Sequence, residues 1–379
     1  ASQGVEVAML IAVKLGCQRL IMVGDPKQLP ATCFSTVAQS HQYDRSLFER
    51  LQLSQYRVNM LQKQYRMHPS ISSFPSQNFY EGKLLNVREL SDFERDFPTP
   101  WSKITCFGPV AFFHLKGSHR ESQQSLVNDD EADFVVQLFR LISEVYPGQN
   151  WNSKIAVISP YAEQVQLIRV KFRAFFNLKP KSPCPVDVNT VDGFQGREKD
   201  CIIVSVVRAN MEDSGIGFVR DKRRMNVAFT RARLNLWVVG HAEVLKKNAD
   251  WRSFIEQQQA EARLLRVSKP FETFLGRYLS GWFDRHPELE KPDSELMRAA
   301  VAAEQSASIG DTSAADPIDG ELSDAPMDDD DDVGYRPDVE EVSDGIGSAA
   351  SDDDGAAGEG GEPEKGGDAA GGGNDSGTL

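Results

Sequence analysis

Four side chains in this sequence have the types and settings needed to handle a phosphate: Gln28, Arg66, Glu198 and Arg231. Gln28 lies in the string GDPKQLPAT at 24–32. Its amide carries a donor and an acceptor, so it can hold an attacking water and touch a terminal phosphate at once. Asp25 offers a carboxylate to a metal's shell or to a neighbouring loop. Arg66 follows Tyr65 in QYRMHPSIS at 64–72. A tyrosine can stack on a base, and a guanidinium presents a fork of donors to phosphate oxygens. His68, just before Pro69, is expected to shape the entry to a helix rather than to titrate. VNTVDGFQGREKD at 188–200 sets two glycines between apolar runs. There Thr190 and the loop amides can take a nucleic-acid phosphate, while Gln195 and Glu198 can face a nucleotide. RRMNVAFTRAR at 223–233 carries Arg224 and Arg231 seven residues apart, on one side of an expected helix. An arginine fixed at a cleft suits an arginine finger, which changes a rate by ~10³–10⁵. Each string alone also fits a plainer role: a polar turn, a packing pair between domains, a glycine-rich turn, a solvated helix face.

Such residues act only if a scaffold brings them together. Residues 5–15 are almost continuously apolar and predict a buried helix; 19–23 form a β-rich run that predicts a buried strand. Residues 46–51 add a helical turn or two. A second series starts near residue 61. It predicts a helix over 69–80, a strand over 110–115 and an amphipathic helix over 128–145, with Phe134, Val135, Leu138, Leu141, Ile142 and Val145 on one face. A strand over 154–159 ends at Pro160, and Val165, Ile168, Phe172 and Phe175 stripe the next helix. Strands over 186–190 and 201–207, a helix over 221–232, a strand over 234–239 and a helix over 244–261 complete it. This alternation predicts an α/β fold of two parallel sheets, a partial one in residues 1–60 and a nearly complete one in 61–265, with a ligand cleft between them. Aromatic and leucine residues at helical spacing predict a packing helix within 266–290.

The charge is unevenly divided. Of 56 acidic and 42 basic residues, 25 and 4 fall within 291–379, leaving 31 acidic and 38 basic in the body. A mildly basic body permits phosphate-backbone binding. The acidic, Gly- and Ser-rich tail cannot bury enough apolar area to offset its ordering entropy and is expected to be disordered. It suits a solubilising or protein-binding segment, or one that competes with nucleic acid for the body. Five scattered cysteines form no C-x-x-C pair, so neither a zinc site nor a disulfide framework is expected and a reducing compartment fits. No apolar run is long enough for a membrane span, so no membrane partner is expected.

The four strings resemble motifs III, IV, V and VI of superfamily 1 helicases, in the branch of the nonsense-mediated-decay RNA helicase. FPSQNFYEGKL, ISPY, VDGFQGREKD, DKRRMNVAFTRAR and NLWVVGH resemble its senataxin-like subgroup. The resemblance covers about residues 1–259. It implies two RecA-like domains with ATP and Mg²⁺ between them, a single strand of RNA or DNA across their tops, and 5′ to 3′ movement by a monomer. By position, Gln28 senses the γ-phosphate, Arg66 and Arg231 contact it, and Tyr65 stacks on the adenine. Glu198 meets the ribose or the metal-bound end, with Gln195 and Asp25 also at the nucleotide. Pro160, Tyr161 and Thr190 lie on the nucleic-acid track. A nuclear setting is implied, with a cytoplasmic one as the alternative.

One part of the family pattern is absent. The sequence holds no G-x-x-x-x-G-K-[ST] and no D-E-x-x ahead of Gln28, and Ala1-Ser2-Gln3 reads like the end of a D-E-A-S-Q string. The main metal ligands are therefore expected upstream, and this chain alone is expected neither to hydrolyse ATP nor to unwind. The alternative is a non-catalytic nucleic-acid-binding or interaction module derived from such a helicase.

Overall fold

The computed structural model describes residues 1–302 other than 34, 97–99, 124, 214, 288–290, 292–293, 296, 300 and 301. The acidic tail from residue 303 onward lies outside the described residues. At the centre stands a parallel sheet of six strands: β1 (Val110–Leu115), β2 (Ile155–Ser159), β3 (Asp187–Thr190), β4 (Lys199–Ser205), β5 (Ala232–Gly240) and β6 (Leu264–Val267). Their order across the sheet is β6-β1-β5-β4-β2-β3. This is the parallel α/β architecture that the second series predicts, in the RecA-like form that the resemblance implies.

Both faces of the sheet are covered, which is why β1, β2, β4 and β5 read as nearly unbroken apolar runs. On one face α4 (Asp129–Val145), α5 (Ala162–Phe175) and α8 (Phe271–Arg285) bury Phe134, Ile168, Phe172, Leu275 and Leu279 against Phe113, Val157, Ile203 and Trp237. On the other, α3 (Pro69–Phe79), α6 (Lys222–Phe229) and α7 (Ala249–Ala260) bury Ile71, Phe74, Met225, Phe229 and Phe254 against Phe112, Ile158, Val204 and Val238. The predicted stripe of α4 is buried as expected, and Asn128 caps it by accepting from Glu131 N.

Several expectations need correction. The helix predicted over residues 5–15 forms as α1 (Glu6–Lys14), but none of its residues is buried. The run 19–23 forms no strand; Ile21 is 88% exposed and Val23 76%. An apolar run becomes a buried strand only where neighbours pair with it, and among the described residues none does. The helix predicted over 221–232 stops at Phe229, because Ala232 already pairs with Lys199 in the sheet. The helix predicted over 244–261 is two pieces, Ala242–Leu245 and α7, since Asn248 turns to cap the second by accepting from Asp250 N and Trp251 N. Strand β6 was not predicted; four residues give too short a pattern. The segment 46–51 is matched by α2 (Leu47–Leu53), capped by Ser46.

Candidate functional site

The strands run parallel, so the loops gather at two edges. Glu198 and Arg231 immediately precede β4 and β5, at the edge where the strands begin. Lys199 N donates to Arg231 O at 3.1 Å, which fixes the two starts side by side. Arg66 reaches the same edge from the loop before α3. That loop is pinned where His68 N donates to Arg233 O (2.8 Å), and it is shaped by Gln64, whose side-chain oxygen accepts from Arg66 N and Met67 N. The imidazole of His68 accepts from Ser70 N at the start of α3, and burial pulls its pKa down to about 4. It therefore shapes the helix entry as a neutral acceptor.

Arg66 donates through Nε to Glu198 Oε2 and through Nη1 to Thr230 O (3.0 Å). Arg231 is only 3% exposed. Its guanidinium donates to Val227 O and Thr230 Oγ1 at 3.0 Å, and to Arg197 O and Gln28 Oε1 at 3.5 Å. All four are neutral oxygens. Burial first, and the nearby Arg66 second, lower its pKa to about 10, so it remains charged at neutral pH. Arg231 is thus a buried cation whose hydrogen-bond acceptors are all neutral, with Arg66, itself paired with Glu198, and the Asp25 carboxylate nearby.

Arg231 does not sit on the helix beside Arg224, as expected. It lies in the turn after α6, and Arg224 faces the other edge, where it pairs with Asp221 (2.8 Å) and Asp192 (3.3 Å). The structure brings Gln28 and Asp25 to Arg231 through a network that the sequence did not reveal. Gln28 Nε2 and Tyr80 Oη both donate to Asp25 Oδ2, at 2.8 and 2.6 Å. Asn226 Nδ2 donates to Tyr80 Oη (2.8 Å) and to Lys27 O (2.9 Å). Burial, then the Asp25 carboxylate, push the Tyr80 phenol well above its ordinary value, so it stays a donor. Leu29 is buried in the same core as Met67, Ile71 and Phe74. Tyr80 lies in the FPSQNFYEGKL string and Asn226 in RRMNVAFTRAR, yet 146 residues separate them and only the fold shows that they meet.

Of the other expected nucleotide residues, Tyr65 is 68% exposed beside Arg66. Gln195 is half-buried in the connector, its N–H donating to Asp192 O.

At the opposite edge, Pro160 and Tyr161 follow β2 and Thr190 ends β3. Strands of four to nine residues put this edge roughly 10–25 Å from the first. The connector 191–198 runs from one to the other. Thr190 Oγ1 accepts from Gly193 N at 3.1 Å, closing the first turn of that connector. Tyr161 is 4% exposed, and its hydroxyl accepts from Arg208 Nε (3.0 Å). Among the described residues no group of three or more His, Cys, Asp or Glu can hold a metal ion, and no helix is long and apolar enough to cross a membrane.

Comparison with known proteins places the chain in a family. Family models described as AAA domain match residues 1–36 and 43–243. The chain is 44% identical over 300 residues to "Probable helicase MAGATAMA 3" of Arabidopsis thaliana, covering 78% of this chain and 36% of that protein. It is 39% identical over 261 residues to "Helicase SEN1" of Saccharomyces cerevisiae, covering 68% and 11%. It is also 39% identical over 263 residues to "Regulator of nonsense transcripts 1" of Dictyostelium discoideum, covering 67% and 19%. The chain thus spans about a third or less of the length of these relatives. It belongs to the superfamily 1 helicases, in the nonsense-mediated-decay helicase branch and alongside its senataxin-like members.

Proposed function

We infer that this chain is the phosphate-sensing and coupling part of an ATP-dependent helicase that moves 5′ to 3′ on single-stranded RNA or DNA, and that by itself it does not turn ATP over. The observation that carries the reading is Arg231: a buried, charged guanidinium held by neutral oxygens, with the Gln28 amide at 3.5 Å and Arg66 adjacent. That donor set fits the terminal phosphate of ATP. ATP with Mg²⁺ supplies the reactive phosphoanhydride and the cation that offsets its charge, the metal's main ligands being expected upstream.

This chain's residues position and sense. Arg231 and Arg66 neutralise charge that develops on the transferred phosphoryl oxygens. Gln28 orients water, held by Asp25 and Tyr80. Tyr65 stacks on the adenine from its exposed position. Glu198 steers Arg66 and meets the ribose or the metal-bound end, with Gln195 and Asp25 flanking. Pro160, Tyr161 and Thr190 belong to the nucleic-acid track. Movement at the Arg231 edge passes along 191–198 to that track, because Arg231 holds Arg197 O and Thr190 closes the other end. The senataxin-like relatives favour a nuclear setting over a cytoplasmic one.

Phosphate release in the presence of single-stranded RNA tests the reading. The chain alone should give none. Fused behind a first domain that carries a phosphate loop and metal acid, it should turn over, and Arg231→Ala should cut kcat by roughly 10³-fold or more. Undiminished turnover by that variant would overturn the assignment of Arg231. Turnover by the unfused chain, lost in Arg231→Ala, would overturn its dependence on a partner domain.

A further inference from the structure

The track residues named by resemblance leave a gap at the strand-end edge. A base held there by stacking would need an open ring face, yet Tyr161 has its ring buried and its hydroxyl bonded to Arg208. An aromatic that is 96% covered cannot receive a base without unpacking. Beside it stands Phe218, which is 62% exposed. The geometry points to Phe218 as a base-stacking platform for single-stranded nucleic acid, a role resting on the helicase reading above.

Three observations support it. The first is rigidity. Phe218 lies in a single 3₁₀ turn, Gly217–Arg220, anchored on both sides by buried residues: Ile216 at 3% and Val219 at 5% exposure. Trp251 Nε1 donates to Val219 O at 2.8 Å and ties the turn to α7. An exposed phenylalanine on so fixed a base does not lose its orientation to solvent, so little ordering entropy opposes stacking.

The second is support beneath the ring. Phe218 packs edge-on to Tyr161, ring centroids 6.4 Å apart. Arg208 bonds the Tyr161 hydroxyl and pairs with Asp213 at 2.9 Å. Gly217 has a positive φ of 55°, and a Cβ there would come within 2.4 Å of Arg208 Nη2. The left-handed backbone of the turn favours glycine, and a side chain there would have to displace the Arg208 guanidinium.

The third is placement and charge. The Arg224 guanidinium lies 5.2 Å from the Phe218 ring centroid, a cation–π arrangement, while the rest of the ring is open. Arg224 also holds Asp192, two residues beyond Thr190, so the platform adjoins the track end of the connector. Ligands of open α/β sheets bind outside the carboxyl ends of the strands, which is where Phe218 stands. An aromatic beside an arginine is the usual pairing in sequence-tolerant single-strand grooves.

The test is equilibrium binding by the full chain to two labelled probes of equal phosphate count: a 12-nucleotide oligouridylate and the same backbone with abasic sites. The parent should bind the base-containing strand more tightly. Phe218→Ala should weaken that binding by about fivefold to a hundredfold, the range for one stacked base. It should leave abasic binding and the salt dependence unchanged. Phe218→Trp should bind the base-containing strand within about twofold of the parent. Equal affinity of the parent and Phe218→Ala for oligouridylate would overturn the platform and leave the helicase reading standing, with the ring free for a protein partner. An equal loss on both probes would also overturn it, since stacking needs bases. Failure of the parent to bind either probe would bring down the platform and the nucleic-acid reading together.

Discussion

The two ends of one sheet carry the two proposed sites, which would recognise their ligands by opposite means. At the edge where the strands begin, the decisive group is hidden: Arg231 is 3% exposed and is approached by Gln28, Arg66 and Glu198 from distant parts of the chain. At the edge where they end, the decisive group stands out on a pedestal of Tyr161 and Arg208. Recognition of a charge gains from low dielectric, so it favours burial and convergence. Recognition of a base by its face gains from a rigid exposed surface. A polar network supports each edge, and removing its parts should separate them.

The largest effect is expected beneath the strand-end edge. Glu131, fully buried in the first turn of α4, accepts from Ser205 Oγ at 2.7 Å and, through both oxygens, from Val207 N at 3.0 and 2.9 Å. Val207 is a β-branched residue at a φ of 74°, a costly conformation that the Glu131 carboxyl group holds in place. From Val207 the chain enters Arg208. Glu131→Ala leaves Ser205 and Val207 without acceptors and should cost about 3–5 kcal/mol by chemical denaturation. Glu131→Gln keeps an acceptor and should cost far less. If the Ala variant loses under about 1 kcal/mol, this edge does not depend on Glu131.

A second comparison is by pH. Burial raises Glu131 to about 8 and lowers His68 and His114 to about 4. His68 and His114 each accept a backbone N–H, from Ser70 and Ala242, and must be neutral to do so. Their contribution is present above the unfolded value of 6.5 and is lost as pH falls towards 4. The contribution of Glu131, raised from 4.5, is full below 4.5 and is lost as pH rises through about 8. Each group moves stability by up to about 1.4 kcal/mol per pH unit. Between 6.5 and 4.5 two histidines outweigh one glutamate, so these groups place the stability maximum near pH 6.5. Denaturant midpoints across pH 4–9 check this. Glu131→Gln should flatten the limb above the maximum, and His68→Asn, which keeps a capping acceptor, should shrink the acid limb. A profile unchanged in both variants would remove these groups from the account.

Much of the scaffold was legible because covered strands and amphipathic helices leave strong patterns. Phe134, Leu138, Leu141 and Ile142 predict their own burial. The same logic failed for 19–23, since an apolar run announces a need for cover and not its presence. The site was legible as a set of residues, through the adjoining strings that carry Gln28, Arg66, Glu198 and Arg231. Its geometry was not. Arginine runs are normally solvated faces, and nothing local says that Arg231 leaves the helix and goes inward while Arg224 goes outward. That depends on β5 starting at Ala232 to pair with β4, a tertiary fact. Phe218 has no signature in the sequence, because one aromatic in a loop carries no period; its meaning comes from Tyr161 lying beneath it.

The smallest and most discriminating prediction concerns Tyr80. It both donates to Asp25 and accepts from Asn226, so it links the loop that carries Gln28 to the helix that leads into Arg231. Tyr80→Phe removes one oxygen and little volume. Stability should fall by about 1 kcal/mol, because Asp25 keeps Gln28 and Lys27 N as donors and Asn226 keeps Lys27 O. In the fused, ATP-hydrolysing form, a link that only stabilises would leave kcat unchanged. A link that sets Gln28 against Arg231 would lower kcat severalfold at constant KM, since the loss falls on the transition state. Oligouridylate affinity at the Phe218 edge should be unchanged either way. A Tyr80→Phe variant that instead weakened oligouridylate binding would mean that the two edges share one network rather than two.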